Sequence, residues 1–548
     1  MGWILFLIML LVAQPLAAAR NGRVPDPTSV TRSTGGVSVM GASTYAGTPG
    51  TWYLGATPPN VDYSKPVLLF VHGKGGSAQD WWSSTVYHGT NDMYAYAYQN
   101  GYRTAFVDLY PDKSMWDNGY LLNSLIDRIR SYFGVSKLAI VSHSKGGVDS
   151  NAASVHYGSA PKVSRVVTLG TPHWGTPLAD MAYSSWTWWL AALMGQLNDA
   201  TYVMQTGYMN YFRSITDGRD PSVPYYTISG YKCGPLFSAL WYGCVAISGE
   251  DDGVVPVWSA RKPGGIHLVE GYWDHDEIRM GSRTWSYFAP VIQTAGINTG
   301  DVAWAGPLLA AAGSQTTDAR RGGTRGATAA APGNLILRGG EAPIGHTFPV
   351  ESGARGVTFT FYASSPGFTA TLSGPGGAAY TVQASDRVSA DHVFAGAWAG
   401  SVTVTAPAAG VWSLSTAAGS GRTGYLMIAN LDTDLTATLE TGADVATPGA
   451  RLVITVGFAS GSVTPAASRA EGAVSFSGEM PHARPVFMAA GGIHRATVDL
   501  PAANGIHSVT VTLTGTLADG SAFERTLVRS FAAVAPADRG TWKGRQVN

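Results

Sequence analysis

Charge is scarce in this sequence and evenly split. Only 13% of the 548 residues are charged, with 36 basic against 36 acidic side chains, so no broad field draws the chain to nucleic acid or to an anionic surface. A neutral partner is expected. Cysteine is nearly absent. The only two, Cys233 and Cys244, lie close together in a Gly- and Tyr-rich loop, which suits one disulfide in an oxidising compartment, with two free buried thiols as the alternative. No His and Cys have metal-ligand spacing, which argues against a catalytic zinc. Beyond the first twenty residues no run is long and apolar enough to cross a bilayer. What is plentiful is Gly (68), with 17 Trp and 25 Tyr: a polar, uncharged, ring-rich composition suited to apolar or polymeric substrates met outside cells.

The amino-terminal MGWILFLIMLLVAQPLAAAR has an apolar run from Trp3 to Ala13, then Pro15 and the small residues Ala17, Ala18 and Ala19. This is the grammar of a signal peptide cleaved after Ala19, so the mature chain is expected to be secreted. The absence of Lys and Arg before the run leaves an uncleaved anchor as the alternative.

The remainder divides into three regions, as expected for a chain longer than one core of roughly 250 to 300 residues. From 37 to 305, short apolar runs at 66–72, 104–108, 137–142, 163–169 and 225–229 alternate with helical stretches such as 91–99 and 118–133, the latter closed by Gly134. Continuous apolar runs are what strands covered on both faces look like, so this region reads as α/β with a mainly parallel sheet. Residues 313–333 (GSQTTDARRGGTRGATAAAPG) carry no apolar period and read as a flexible linker. After it come short alternating strands rich in Val, Thr and Phe, for example 356–362, 400–405, 452–457 and 507–512, separated by Gly, Pro and Asn turns. These predict two all-β, sandwich-like modules at 334–432 and 433–535.

The most informative stretch is IVSHSKGGVD. A nucleophile on a tight turn from strand to helix presses together the residues two before and two after it, so both must be small. Ser144 meets this with Ser142 and Gly146; Ser142 does not, because Ile140 precedes it. The helix that follows turns its positive end towards the site, favouring an oxyanion. A second donor is expected from FVHGKGGS, so that the backbone N–H groups of Lys74 and Lys145 form the oxyanion hole.

In such folds the acid and then the base follow the serine. Within SGEDDGVVP, Asp252 is favoured because Gly253 gives it a tight turn and Val254 and Val255 pack beneath; Asp251 is the runner-up. For the base, IHLVEGYWD reads as a strand that holds His267 inside and delivers His275 to its carboxyl end, where catalytic groups of α/β sheets gather. His275 is therefore preferred to His267. His72, His143, His156 and His173 precede the acid and read as structural, or as supports standing behind the catalytic groups.

HGKGGS, SHSKGG, GTPHWGTPLAD (170–180), YYTISG, EDDGVVP and DHDE occur in the order seen in bacterial secreted triacylglycerol lipases and esterases, which the chain resembles over residues 40–300. The resemblance implies the α/β-hydrolase fold and ester hydrolysis through an acyl-enzyme, with Ser144, Asp252 and His275 in the roles above. Similar lipases often hold a structural calcium. Here Asp276 and Glu277 suit one half of such a site, but no carboxylate lies between Pro221 and Gly249 to supply the other, so no metal or other cofactor is expected.

The segment ADMAYSSWTWWLAALMGQLND clusters Trp186, Trp188, Trp189 and Leu190 on an apolar helical element, read as a lid for a lipid or polyester surface. A plain buried helix is the alternative. The substrate is expected to be an apolar acyl ester. A polyester- or polyurethane-degrading esterase with a polymer-binding tail is the enzymatic rival, and a spacer or secretion-related tail the simpler reading of the β modules. A binding protein on a dead hydrolase scaffold is the rival of another class, disfavoured because all three triad positions are filled. Thioester or amide hydrolysis would use the same triad.

Overall fold

The computed structural model describes residues 24–33, 36–40, 47–184, 197–219, 222–235, 238–247, 249–293, 333–388, 392–419 and 421–544. The signal segment, the interdomain linker up to residue 332 and the tryptophans of the expected lid lie outside these residues.

The amino-terminal domain is built on a nine-stranded sheet. Its strands in chain order are β1 (Thr28–Ser33), β2 (Gly36–Met40), β3 (Trp52–Leu54), β4 (Val67–Val71), β5 (Thr104–Val107), β6 (Leu138–His143), β7 (Val163–Leu169), β8 (Tyr225–Gly230) and β9 (Ile266–Gly271). They lie side by side as β2-β1-β3-β5-β4-β6-β7-β8-β9. From β5 to β9 neighbours are parallel, and the first three strands add an antiparallel edge. The central strands β4 and β6 are buried along their whole length. They have no solvent face to alternate with, which is why their sequence shows no period of two.

Helices cover both faces: α1 (Met93–Gln99), α2 (Met115–Phe133), α3 (Lys145–His156), α4 (Pro177–Ala182), α5 (Asp199–Val203), α6 (Thr206–Thr216), α7 (Ala239–Ala246), α8 (Val257–Ala260) and α9 (Gly281–Gln293). The ends of α2 are set by sequence. Ser114 accepts hydrogen bonds from the N–H groups of Trp116 and Asp117, and Gly134 ends the helix at φ 63°. Leu122, Leu125, Ile126 and Ile129 from one face of α2 join Val67, Leu69, Val71 and Ile140 of the sheet in one core.

The β-rich region forms two pairs of sheets. Between Leu335 and Asp432 a five-stranded sheet faces a four-stranded one around Phe359, Phe361, Leu372 and Trp412. Between Ala437 and Ala533 a four-stranded and a five-stranded sheet enclose Leu439, Ile454, Val511 and Leu527. A buried ion pair of Glu351 and Arg525, both fully inaccessible, joins the two sandwiches; Arg525 also donates to the Leu435 carbonyl in the link between them, through Nη2 at 3.2 Å.

These modules do not hang free. One apolar cluster takes in Leu178, Met181, Phe212 and Tyr242 of the amino-terminal domain together with Tyr362, Phe394, Ile428, Val528 and Ala532 of the sandwiches. The amino end of α6 meets the last strand of the chain so closely that a Cβ on Gly207 would stand 2.5 Å from Phe531 Cα. A tail read from sequence as a tethered spacer or polymer-binding unit is packed onto the amino-terminal domain along α4, α6 and α7.

Candidate active site

Parallel strands deliver their carboxyl ends to one edge of the sheet, and the candidate residues gather there. Ser144 stands between β6 and α3 at φ 53° and ψ −135°, a strained conformation for a residue with a side chain. It persists because its surroundings fix it. Its N–H donates to the Leu169 carbonyl at 2.9 Å, and Thr171 Oγ1 donates to its carbonyl at 2.8 Å. Small neighbours are obligatory. A Cβ on Gly146 would meet the His72 carbonyl at 2.3 Å, and one on Gly73 would meet Ser144 Cβ at 2.7 Å.

His275 lies just after β9, in the loop before the short turn Glu277–Arg279. Its Nε2 is 3.0 Å from Ser144 Oγ and its Nδ1 2.8 Å from Asp252 Oδ2. A carboxylate only accepts, so Nδ1 carries the proton and Nε2 is left to accept from the serine hydroxyl. Asp252 is locked in turn: its Oδ1 accepts from the N–H groups of Val254 and Val255 at 3.1 and 2.8 Å. All three side chains are buried, Ser144 being 4% exposed.

The structure thus brings together the three residues favoured by sequence and separates their rivals. Asp251 Oδ1 accepts from Gly253 N–H at 2.7 Å and lies beside Cys244; burial, aided by the Asp252 charge, pushes its carboxyl up to about 8. His267 is held by Thr227 Oγ1 at 2.8 Å, and burial lowers its pKa to about 4. His156 bonds Thr216 Oγ1 at 3.0 Å, away from the triad. His173 is buried near Thr168, with Nε2 3.2 Å from its Oγ1. Cys233 and Cys244 are joined in a disulfide.

Two of the four histidines that precede the acid, His72 and His143, stand at the site as supports. His72 Nδ1 is 2.7 Å from the Gly73 carbonyl, while its Nε2 accepts from Leu109 N–H at 2.9 Å. The ring therefore donates to Gly73 O, and because a trans peptide sets C=O and N–H in opposite directions, it aims the Lys74 N–H to the other side. His143, immediately before the serine, has Nε2 2.8 Å from the backbone carbonyl of His275. The two lysines expected to offer backbone N–H groups are both buried. Lys145 Nζ pairs with Asp149 at 2.6 Å, and Lys74 Nζ donates to the carbonyl of His392 in the first sandwich at 3.3 Å.

The two carboxylates weighed for calcium, Asp276 and Glu277, already hold cationic side chains. Asp274, Glu277 and His88 converge, but Lys232 stands 2.6 Å from Glu277, with Arg283 at 3.1 Å, and Asp276 pairs with Arg279. The cluster already contains its own counter-charges.

With this geometry in hand, comparison with known proteins is decisive. A lipase of Bacillus licheniformis, BlEst2 in its propeptide form, is 30% identical to this chain, covers 88% of it and 97% of its own length, and superposes with a TM-score of 0.69. The chain belongs to the α/β-hydrolase lipases and esterases. In this lipase/esterase, residues 62–186 also match the PGAP1-like alpha/beta domain family. The mature form of the Bacillus lipase is 44% identical over its whole length and 45% of this chain, with a TM-score of 0.42. An esterase of Rhodococcus, RhEst1, is 15% identical over 45% of this chain and 95% of its own, with a TM-score of 0.27. No curated protein matches the chain.

What the sequence reading of this lipase/esterase missed is the part played by its own tail. The His392 carbonyl takes the Lys74 ammonium from 318 residues away in sequence, Phe394 shares an apolar cluster with Leu178 and Met181, and no local pattern in one chain encodes such distant partners.

Proposed function

We propose that this lipase/esterase is a secreted serine hydrolase that cleaves carboxylic esters of apolar acyl groups, with Ser144 as nucleophile, His275 as general base and acid, and Asp252 as the orienting carboxylate. The observation that carries it is the unbroken relay Asp252 Oδ2, His275 Nδ1, His275 Nε2, Ser144 Oγ, with links of 2.8 and 3.0 Å. His275 Nε2 takes the Ser144 proton as Oγ attacks the ester carbonyl. The tetrahedral oxyanion is held by the backbone N–H groups of Lys74, in the loop after β4, and of Lys145, at the head of α3. His275 returns the proton to the leaving alcohol, and a water activated by the same ring releases the acid from the acyl-enzyme. The disulfide and the amino-terminal apolar segment support an extracellular, oxidising location.

A specific observation favours a further reading of the tail. The apolar surface of the sandwiches is buried on the catalytic domain, which suits a covering pro-region, as in the propeptide form of the Bacillus lipase, better than a polymer-binding tether.

The test is hydrolysis of p-nitrophenyl esters from acetate to palmitate by the full chain beside Ser144→Ala, with an emulsified triglyceride in parallel. Turnover abolished in the variant supports the serine mechanism, and triglyceride cleavage separates lipase from esterase. Undiminished turnover in Ser144→Ala overturns the reading and promotes the binding-protein rival.

A further inference from the structure

The base of this site stands on a loop that belongs to a distant strand. His275 follows β9, whereas Ser144 follows β6, and β7 and β8 lie between. At a strand spacing near 4.8 Å this separates the two supports by about 14 Å, so the loop must reach back across two strands to bring Nε2 to Oγ. An error of about 1 Å there costs about 100-fold in rate.

The backbone of His275 is fixed at both ends. Its N–H donates to the Asp252 carbonyl at 2.8 Å, and its C=O faces Nε2 of His143 at the same distance. A carbonyl only accepts, so the His143 ring must carry its proton on Nε2 and donate it. The two imidazole rings lie 4.6 Å apart, tilted by 46°. Asp252 therefore grips the amide and Nδ1 of His275, while the adjacent residues His143 and Ser144 grip its carbonyl and Nε2. We infer that His143 is a positioning residue for the reaction: its imidazole N–H ties the loop of the base to the strand of the nucleophile and sets the separation of Nε2 and Oγ.

The local electrostatics are consistent with this role. His143 is buried at 2% exposure. Burial, followed by the neighbouring His275, Arg279 and His72, holds its pKa well below the ordinary histidine value, whereas its bond to the His275 carbonyl opposes the shift. The ring stays neutral while His275 cycles through its imidazolium, so it tethers the base without opposing the charge that forms there.

The inference rests on the roles proposed for Ser144 and His275, and the test separates the two. His143→Phe keeps a ring and removes the donor; His143→Gln places an amide N–H near the same point. For the full chain, kcat and KM on a p-nitrophenyl ester and the rate of Ser144 labelling by a fluorophosphonate are measured alongside Ser144→Ala. In His143→Phe, kcat and labelling fall about 10- to 100-fold with KM within about twofold of the parent, and His143→Gln recovers to within about threefold. The inference is overturned by a His143→Phe enzyme whose kcat stays within twofold of the parent, or by a glutamine variant no better than phenylalanine. If Ser144→Ala turns over as fast as the parent, the proposed function has failed; if Ser144→Ala is inert while His143→Phe is unimpaired, only the positioning role has.

Discussion

Ser530, in the last strand of the chain, donates a 2.6 Å hydrogen bond to Asp180 of the catalytic domain, 350 residues away in sequence. The same hydroxyl accepts from Gly207 N–H at 2.7 Å, and Asp180 also accepts from the N–H and hydroxyl of Thr206 at 2.9 and 2.5 Å. Docking of the tail thus seals a carboxylate inside the protein, and burial pushes the Asp180 pKa from 3.8 up to about 6 despite these hydrogen bonds.

A pH dependence of stability follows. Between about pH 4 and 6 the folded protein holds a proton that the unfolded chain has released, so the contribution of Asp180 to stability is fully present below about pH 4. It is lost as the pH rises through about 6, by about 3 kcal/mol in all. Melting temperatures of the parent and of Asp180→Asn should therefore diverge in favour of the variant as the pH is raised from 4 to 7. Parallel profiles would remove Asp180 as the source.

The proposed cover makes its own prediction. Phe394 is fully buried, with its ring 4.8 Å from Tyr362, in the cluster it shares with Leu178 and Met181. A carboxylate there, in Phe394→Asp, loosens the sandwich from the catalytic domain at a cost of roughly 3 to 5 kcal/mol. Labelling of Ser144 in the full chain by a fluorophosphonate should become at least about tenfold faster, since about 1.4 kcal/mol of relief already gives that factor. An unchanged labelling rate would mean that the tail does not restrict access to the serine.

Gly73→Ala tests the crowding behind the nucleophile. The added methyl would sit 2.7 Å from Ser144 Cβ and 3.2 Å from Oγ, so the serine or the His72-Gly73 turn must move. The expected outcome is a kcat lower by about 100-fold or more with the melting temperature little changed, read from ester turnover and thermal unfolding. A variant of parental kcat would show that the turn yields without disturbing Oγ.

Much of the fold is legible in the sequence because its signals are local. The run 66–72 announces β4, Gly134 ends α2 where a left-handed residue is needed, and SHSKGG carries its steric requirement on its face: Gly146 is small because the His72 carbonyl lies against it. The preference for Asp252 over Asp251 came from one glycine and two valines, and the structure has those valine N–H groups holding the Asp252 carboxylate. What stayed hidden is long-range. What His143 holds is not legible, because its partner is a backbone carbonyl 132 residues on, and a carbonyl leaves no trace in a sequence. The docking of the sandwiches was equally invisible, since inward-facing Phe and Val residues read the same whether they face their own sheet or another domain.

The Glu351 and Arg525 pair makes the seam of the β-rich half a two-residue lock. Two opposite charges out of reach of water tolerate each other's presence and little else, so replacing either alone leaves the other buried without its partner, at a cost of about 3 to 5 kcal/mol. Each position therefore dictates what the other can accept, although they stand in different sandwiches.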